Sequence, residues 1–202
     1  GTAPQDLKYQ DEPTKIVIGD NCVIRECVTL NRGTSAHRLT SIGDNCLFMS
    51  YSHVAHDCIV GNNVIMANCA TLAGHVEIGD FVVIGGLAAI HQFVRIGRFS
   101  MLGGGAMVVL DIPPFCQTQG DRAKLVGLNL VGIKRHGLTE KQIGDIKSAY
   151  KTVFTSGITV AEAIYQLEAA VPSKEVMEFT EFIKNSKRGI TRPGRTVEND
   201  AE

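Results

Sequence analysis

Read in sixes, the chain places an apolar residue at one position without a slip across much of its first half. From Ile42 that position reads Ile42, Phe48, Val54, Val60, Met66, Leu72, Ile78, Ile84, Ile90, Ile96, Leu102 and Val108. Four residues further on stand Cys46, Ser52, Cys58, Val64, Ala70, Val76, Val82, Ala88, Val94, Ser100, Ala106 and Ile112, all small but the last. The phase extends back through Leu30, Ile24 and Ile18, although residues 31–41 read as a loop. Ordinary half-buried strands alternate with period two, which does not produce this pattern. A period of six predicts a three-sided prism, in which each six supplies a short strand and a tight corner and three sixes complete a coil. Stacked coils then lie about 4.8 Å apart through parallel ladders. The large apolar residue fills the interior and the small one fits where the chain turns. Gly, Asn and Asp are expected at the corners, where they tolerate angles that bulkier residues resist.

Residues 18–113 are therefore predicted to form a parallel β-helix, preceded by a segment at 1–17. The array is expected to stop at Asp111-Ile112-Pro113-Pro114, because two prolines remove ladder donors. Helical signals follow. Thr139 with Gln142 and Thr159 with Glu162 read as capping boxes. Ile143, Ile146, Tyr150, Val153 and Phe154 sit at helical spacing, with Gly157 as a stop. Ser173 opens a third helix carrying Glu175, Val176, Phe179, Phe182 and Ile183. Residues 114–188 are thus expected to be a small α-helical domain, and 189–202 a disordered tail.

Composition narrows the function. A net charge of −1 and a pI near 6.7 argue against a nucleic-acid partner. No apolar run reaches the length of a membrane span. The first residues carry no cationic stretch leading into an apolar one, so they do not read as a signal peptide. They also lack a Met, and the array is under way by Ile18, so the start reads as a cut or an unusual beginning within a longer protein. The cysteines at 22, 27, 46, 58, 69 and 116 contain no C-x-x-C pair. Three of them occupy the small-residue position, and all six read as small buried hydrophobes in a reducing compartment.

Chemistry must sit on the outside of such a prism. His53, His56, His75 and His91 fall within the repeat, and the stacking of coils carries His56, His75 and His91 to one edge. The repeat resembles that of the left-handed parallel β-helix proteins; the left hand, an exception to the usual crossover rule, rests on that resemblance alone. Zinc enzymes of that fold use a His pair five apart. Here the residues at that offset are Cys58, Gly61, Asp80 and Ile96, so no metal site is expected. General-base catalysis is the alternative. His56-Asp57 sets a carboxylate beside an imidazole that can take a proton from a hydroxyl attacking a thioester, with no covalent nucleophile. Neighbouring side chains on a strand point to opposite faces, so that pairing requires a corner geometry.

At these residues the chain closely resembles the acyl-carrier-protein:UDP-N-acetylglucosamine O-acyltransferase family, which opens lipid A biosynthesis. The resemblance is carried by Gln5-Asp6-Leu7-Lys8-Tyr9, Ile24-Arg25-Glu26, Asn31-Arg32-Gly33-Thr34, His53 through Cys58, Leu72-Ala73-Gly74-His75, His91-Gln92-Phe93 and Asn129 through Gly137, and it spans almost the whole chain up to about Pro193. The family's N-terminal coils are missing. The resemblance implies a left-handed β-helix with a helical C-terminal domain, a cytoplasmic homotrimer, and no cofactor beyond the acyl carrier protein as co-substrate. It implies that His56 is the general base and Asp57 tunes it. His53, His75, His91 and Gln92 line the sugar-nucleotide and thioester pocket, and Gln5, Asp6 and Lys8 reach it from the neighbouring subunit's side. The backbone at Gly74 polarises the thioester carbonyl, Asn129 and Arg135 contact the nucleotide, and Gly104 is the acyl-chain ruler, open for a long chain.

Two positions depart from the family pattern: Val131 stands where some relatives have Glu, and His136 where they have a second Arg, so nucleotide binding is expected to differ in detail. The acidic carrier protein calls for a basic rim, for which Arg95, Arg98, Arg122, Lys124 and Lys134 are candidates. The competing readings are another hexapeptide acyltransferase, transferring to an amine or using an acetyl- or succinyl-CoA donor, and a non-catalytic β-helix scaffold. The spaced histidines and the Arg135 region favour catalysis.

Overall fold

A computed structural model describes residues 1–194. Its strands, mostly of two residues, are β1 (Lys15–Ile18), β2 (Val23–Ile24), β3 (Thr29–Leu30), β4 (Leu39–Ile42), β5 (Leu47–Phe48), β6 (His53–Val54), β7 (Ile59–Val60), β8 (Ile65–Met66), β9 (Thr71–Leu72), β10 (Glu77–Ile78), β11 (Val83–Ile84), β12 (Ala89–Ile90), β13 (Arg95–Ile96), β14 (Met101–Leu102), β15 (Met107–Val108), β16 (Cys116–Gln119) and β17 (Lys124–Leu128). Every third strand joins one sheet: β1-β4-β7-β10-β13 on the first face, β2-β5-β8-β11-β14-β16-β17 on the second and β3-β6-β9-β12-β15 on the third. Pairing is parallel and in register, with Val60 beside Ile78, Met66 beside Ile84 and Leu72 beside Ile90. The hexad residues from Ile42 to Val108 are buried as one continuous core. Ile18 and Ile24 keep the phase, opposite Ile42 and Phe48, but lie exposed on the outermost coil.

The corners differ from expectation. The third residue after each interior position adopts a left-handed backbone: Asn45, Tyr51, Asp57, Asn63, Cys69, His75, Phe81, Leu87, Phe93 and Phe99, with φ between 56° and 64°, and then Gly105. Most are neither Gly, Asn nor Asp, although this backbone costs roughly 1–2 kcal/mol per L-residue. The opposing gain is regular. All of these N–H groups but that of Asp57 donate to a carbonyl on the coil before it, as from His75 to His56, Phe93 to Gly74 and Phe99 to Asp80; the Asp57 N–H donates to the Thr40 hydroxyl. The corner side chains consequently form columns along the three edges of the prism.

The prolines do not end the ladder. Ile112 bridges Ile96, and β16 adds a further parallel rung to β14 before pairing antiparallel with β17. Residues 116–128, expected in the helical part, are thus a β-hairpin closing the second sheet. Beyond it lie α1 (Leu130–Arg135), α2 (Glu140–Phe154), α3 (Val160–Ala169) and α4 (Lys174–Lys184). The Thr139 capping box is complete. Thr159 accepts from the Glu162 N–H, whereas Ser173 makes no side-chain cap. Ile143, Ile146 and Val153 of α2 pack with Ala163 and Ile164 of α3 and with Val176, Phe179 and Ile183 of α4. The expected disordered tail is tied down at its start, where Ile190 bridges Asp111 and Pro193 bridges Leu125. The remainder of that tail lies outside the described residues.

The cysteines divide. Cys46, Cys58 and Cys116 are buried; burial pushes the Cys46 thiol up to about 11 and the Cys58 thiol to about 12. Cys22 and Cys69 are half-buried, and Cys27 is exposed, because 27 and 69 fall on the outward corner position and not on the small interior one.

Candidate active site

The edge between the third and first sheets carries the histidines. Successive coils align His56 with Gly74 and Gln92, and Asp57 with His75 and Phe93, one coil being eighteen residues by the pairing of Ile59 with Glu77 and of Glu77 with Arg95. Asp57 is a left-handed corner residue with φ 58°, and this bend turns its side chain back to its own neighbour: His56 Nδ1 lies 2.8 Å from Asp57 Oδ2. The required corner geometry is present.

Asp57 is buried and heavily hydrogen-bonded. The Thr34 N–H donates to both carboxylate oxygens at 3.0 and 3.1 Å, the Thr34 hydroxyl to Oδ2 at 2.6 Å and the His37 N–H to Oδ1 at 3.3 Å. Its own N–H donates to Thr40 Oγ1 at 2.8 Å. Burial alone would raise the Asp57 pKa, but the Thr34 hydroxyl, His56, the Thr34 N–H and His75 together hold it below the ordinary value. A carboxylate so held accepts from His56 Nδ1–H, which leaves Nε2 of that ring as the free base.

His75 stands edge-on to His56 with ring centroids 5.1 Å apart and stacks on Phe93 at 4.5 Å. Its Nε2 is 3.9 Å from Asp57 Oδ2, and its buried Nδ1 has no hydrogen-bond partner among the described residues. Burial lowers its pKa, against the pull of the Asp57 charge and with the help of His56 and His37. His53 is also lowered, by burial and then by His56, while its Nδ1 meets Thr29 Oγ1 at 2.7 Å. His91 is exposed, with Nδ1 3.3 Å from Arg188 Nη2.

Gly74 sits directly against the His56 ring. A Cβ there would come within 2.5 Å of His56 Cε1 and 2.7 Å of Nε2. The Gly74 N–H donates to no acceptor among the described residues. Asn31 hooks the N-terminal segment onto the end of β3, donating to Thr2 Oγ1 and the Ala3 carbonyl, and Glu12 accepts from the Ser35 N–H. Asp6 consequently lies near enough to raise the His75 pKa within the same chain.

The other expected contacts lie on different edges. Asn129 caps α1, accepting from the Gly132 N–H and donating to the Phe99 carbonyl. Arg135 is exposed at the end of α1, and His136 packs over Phe81 at 4.6 Å and Phe99 at 5.6 Å. Phe81 and Phe99 belong to the edge between the first and second sheets. Gly104 belongs to the third edge, where an added Cβ would meet only the Gly86 carbonyl, at 3.3 Å. Within one chain, then, His56 shares an edge with neither Arg135 nor Gly104. Of the candidate basic rim, Arg98 is committed to Glu178 at 2.7 Å, Arg95 to Glu77 at 3.3 Å and Lys134 to Glu140 at 3.1 Å, so these three do not offer an open basic surface.

Among the described residues, His56, Asp57 and His75 form a group whose possible ligand atoms all lie within 4.8 Å of one another. Two donors on a tetrahedral zinc ion stand about 3.3 Å apart, given bonds of about 2.0–2.1 Å. The 2.8 Å between His56 Nδ1 and Asp57 Oδ2 is the length of a hydrogen bond instead. Sequence reasoning assigned no role to Thr34, His37 or Phe93, although Thr34 and Phe93 stand in segments that carry the resemblance. The first two lie in the loop that interrupts the hexads, and Phe93 lies at a corner where no aromatic was anticipated.

Comparison with known proteins decides the family. Residues 111–191 match the family model of UDP-N-acetylglucosamine O-acyltransferase domain 2, and residues 39–74 match the bacterial transferase hexapeptide repeat. The acyl-[acyl-carrier-protein]–UDP-N-acetylglucosamine O-acyltransferase of Aquifex aeolicus is 57% identical over 196 residues, covering 95% of this chain and 74% of that one. Its counterpart from Anaeromyxobacter sp. is 52% identical over 194 residues, covering 95% and 76%. This chain belongs to the acyl-[acyl-carrier-protein]–UDP-N-acetylglucosamine O-acyltransferase family. It spans about three quarters of the length of these family members. The UDP-N-acetylglucosamine acyltransferase of Campylobacter jejuni superimposes with a TM-score of 0.90 at 45% identity, over 96% of this chain and 75% of that one. The Francisella novicida enzyme does so with a TM-score of 0.93 at 34% identity, over 96% and 72%. The coil is the left-handed β-helix of hexapeptide repeats, followed by C-terminal helices.

Proposed function

We propose that this acyltransferase moves an (R)-3-hydroxyacyl chain from acyl carrier protein to the 3-hydroxyl of UDP-N-acetylglucosamine, the first step of lipid A biosynthesis, with His56 as general base. The observation that carries the assignment is the 2.8 Å contact between His56 Nδ1 and an Asp57 carboxylate whose other acceptor sites are filled by Thr34 and His37. Such a carboxylate orients the ring and stabilises the imidazolium that forms. His56 Nε2 takes the proton of the sugar 3-hydroxyl as its oxygen attacks the thioester carbonyl. The carbonyl electrons move onto oxygen, which the Gly74 N–H receives as an oxyanion donor. Collapse of the tetrahedral adduct restores the carbonyl and expels the carrier-protein thiolate, which takes the proton back from His56. This route requires no cysteine nucleophile.

His53, His75, His91 and Gln92 line the same edge as the base, Asp6 approaches His75 on the segment hooked to β3, and Gln5 and Lys8 of that segment serve the same pocket. Asn129 and Arg135 serve the nucleotide, the guanidinium matching the diphosphate. Gly104 leaves the acyl groove open for a long chain. Because these groups occupy three edges of one prism, they compose one site when the edges of neighbouring copies face each other, as in a homotrimer. The outward residues Leu47, Ile65, Val83 and Met101 of the second sheet form an apolar stripe suited to such packing. Arg122 and Lys124, exposed at the β16–β17 turn, are the basic groups offered to the acidic carrier. Among the described residues, no helix is long and apolar enough to cross a membrane.

The test is direct. Incubation with UDP-N-acetylglucosamine and hydroxyacyl carrier protein yields the 3-O-acyl product, and His56→Ala lowers the rate by about 10²–10⁴-fold. Full activity in that variant removes the general-base assignment; acylation confined to amine acceptors removes the sugar-hydroxyl reading.

A further inference from the structure

His37 is contributed by the loop between β3 and β4, outside the hexad array, yet the structure sets it against the reacting groups. Its backbone N–H donates to Asp57 Oδ1 at 3.3 Å, and its imidazole stands edge-on to His75, with ring centroids 5.4 Å apart and planes at 66°. His75 needs such a neighbour. Its Nδ1 is buried without a hydrogen-bond partner among the described residues, and the nearest charge, Asp57 Oδ2, is 3.9 Å from Nε2. Its orientation therefore rests on ring packing: the face of Phe93 on one side and the edges of His56 and His37 around it.

We propose that His37 is a positioning residue, which completes an aromatic box around His75 and holds that ring fixed beside the His56–Asp57 pair. The charged and titratable groups facing His75 come from three places: His56 and Asp57 on the preceding coil, His37 from the loop and Asp6 from the N-terminal segment. Asp57 and Asp6 favour a proton on His75, while burial, His56 and His37 disfavour it. Without His37 the balance shifts towards the imidazolium. The ring also gains freedom to swing towards Asp57, which would divide the carboxylate between two imidazoles.

The backbone hydrogen bond to Asp57 survives any side-chain change at position 37, so substitutions there isolate the ring. The experiment compares His37→Ala with His37→Phe, the second keeping an aromatic edge without a titratable nitrogen. The readouts are the titration and ring-current shift of the His75 Cε1–H resonance, together with kcat and KM across pH. In the alanine variant the His75 pKa rises, its shift from Phe93 collapses towards the free-imidazole value, and kcat falls roughly three- to tenfold, the size one edge-to-face contact supports. The acid limb of kcat/KM moves to higher pH. In the phenylalanine variant the ring-current shift and kcat return to near wild type while the His75 pKa stays raised.

An unmoved His75 resonance in the alanine variant overturns the proposal whatever the activity does; lost activity with an unmoved resonance assigns His37 to direct substrate contact instead. Loss of kcat in the phenylalanine variant equal to that in alanine overturns the packing role. The kinetic arm rests on the acyl-transfer reading, but the resonance arm does not, so a wild type that fails to acylate UDP-N-acetylglucosamine would remove that reading and still leave His37 decided.

Discussion

At Gly74 the constraint is space. The carbon that alanine would add lies 2.5 Å from Cε1 of the His56 ring, far inside contact distance, and no backbone strain is involved. Gly74→Ala is therefore expected to push the imidazole off Asp57 and to close the thioester's approach to the Gly74 N–H. An activity loss of about 10²-fold fits a displacement of this order at a catalytic group, with a thermal midpoint close to wild type. A comparable rate in the two proteins would show that the ring is not needed where it stands. The pH dependence is set by the same cluster. His53 and His75 have folded pKa values below the ordinary value of 6.5. Below about pH 6.5 the unfolded chain takes up protons that the folded chain refuses, so stability is full above that pH and falls as pH drops through the window. Asp57 acts in the same direction but at lower pH, a lowered carboxylate whose stabilisation is present above 3.8 and lost only below it. Unfolding midpoints followed from pH 7.5 to 5 should therefore decline, and His75→Gln should flatten the decline. An unchanged slope would contradict the assigned direction.

Elements, unlike residues, can be perturbed at their ends without touching the site. The Thr139 capping box supplies two hydrogen bonds at the start of α2, and the Gln142 side chain continues to Glu175 on α4 at 2.8 Å. Thr139→Ala is expected to lose about 1 kcal/mol. Ser173→Ala should be neutral or slightly stabilising, because the Ser173 hydroxyl is buried without a partner among the described residues. Equal losses in the two variants, measured by denaturant unfolding, would contradict the geometry. Both positions look like caps in the sequence; only the contacts separate them. The same limit applies elsewhere. The hexad of apolar residues was legible because interior volume dictates it, and it carried the adjacency of His56, His75 and Gln92 with it. Phe81, Phe93 and Phe99 at left-handed corners were not legible, since the ladder that sustains their backbone is a long-range product of stacking. Residues 31–41 were recognisable as a break in the repeat, but nothing local showed that Thr34 and His37 fold back onto Asp57. The hairpin of β16 and β17 was hidden by Pro113 and Pro114, which end the hexad yet leave the second sheet free to accept another rung.

The proposed site residues are spread over the three edges of the prism. One carries His56, a second the α1 region with Asn129 and Arg135, and the third Gly104; no rotation of side chains brings residues from separate edges of one coil stack together. If the site is composed at the junction of copies, damage on one edge of a subunit is complemented by the intact edge of its neighbour. His56→Ala and Arg135→Ala are each expected to be nearly inactive alone. Co-expressed in equal amounts and assembled at random, they should recover roughly a quarter of the wild-type rate, because one junction in four then pairs an intact base with an intact guanidinium in a closed ring of like contacts. Purified separately and mixed without subunit exchange, they should recover nothing. Absence of recovery in the co-expressed sample, with mixed oligomers verified by differential tags, would mean that each chain assembles its site alone. The stripe of Leu47, Ile65, Val83 and Met101 offers the control: Val83→Lys, remote from all three edges' polar groups, should abolish both assembly and activity while the isolated chain keeps its β-helix circular dichroism.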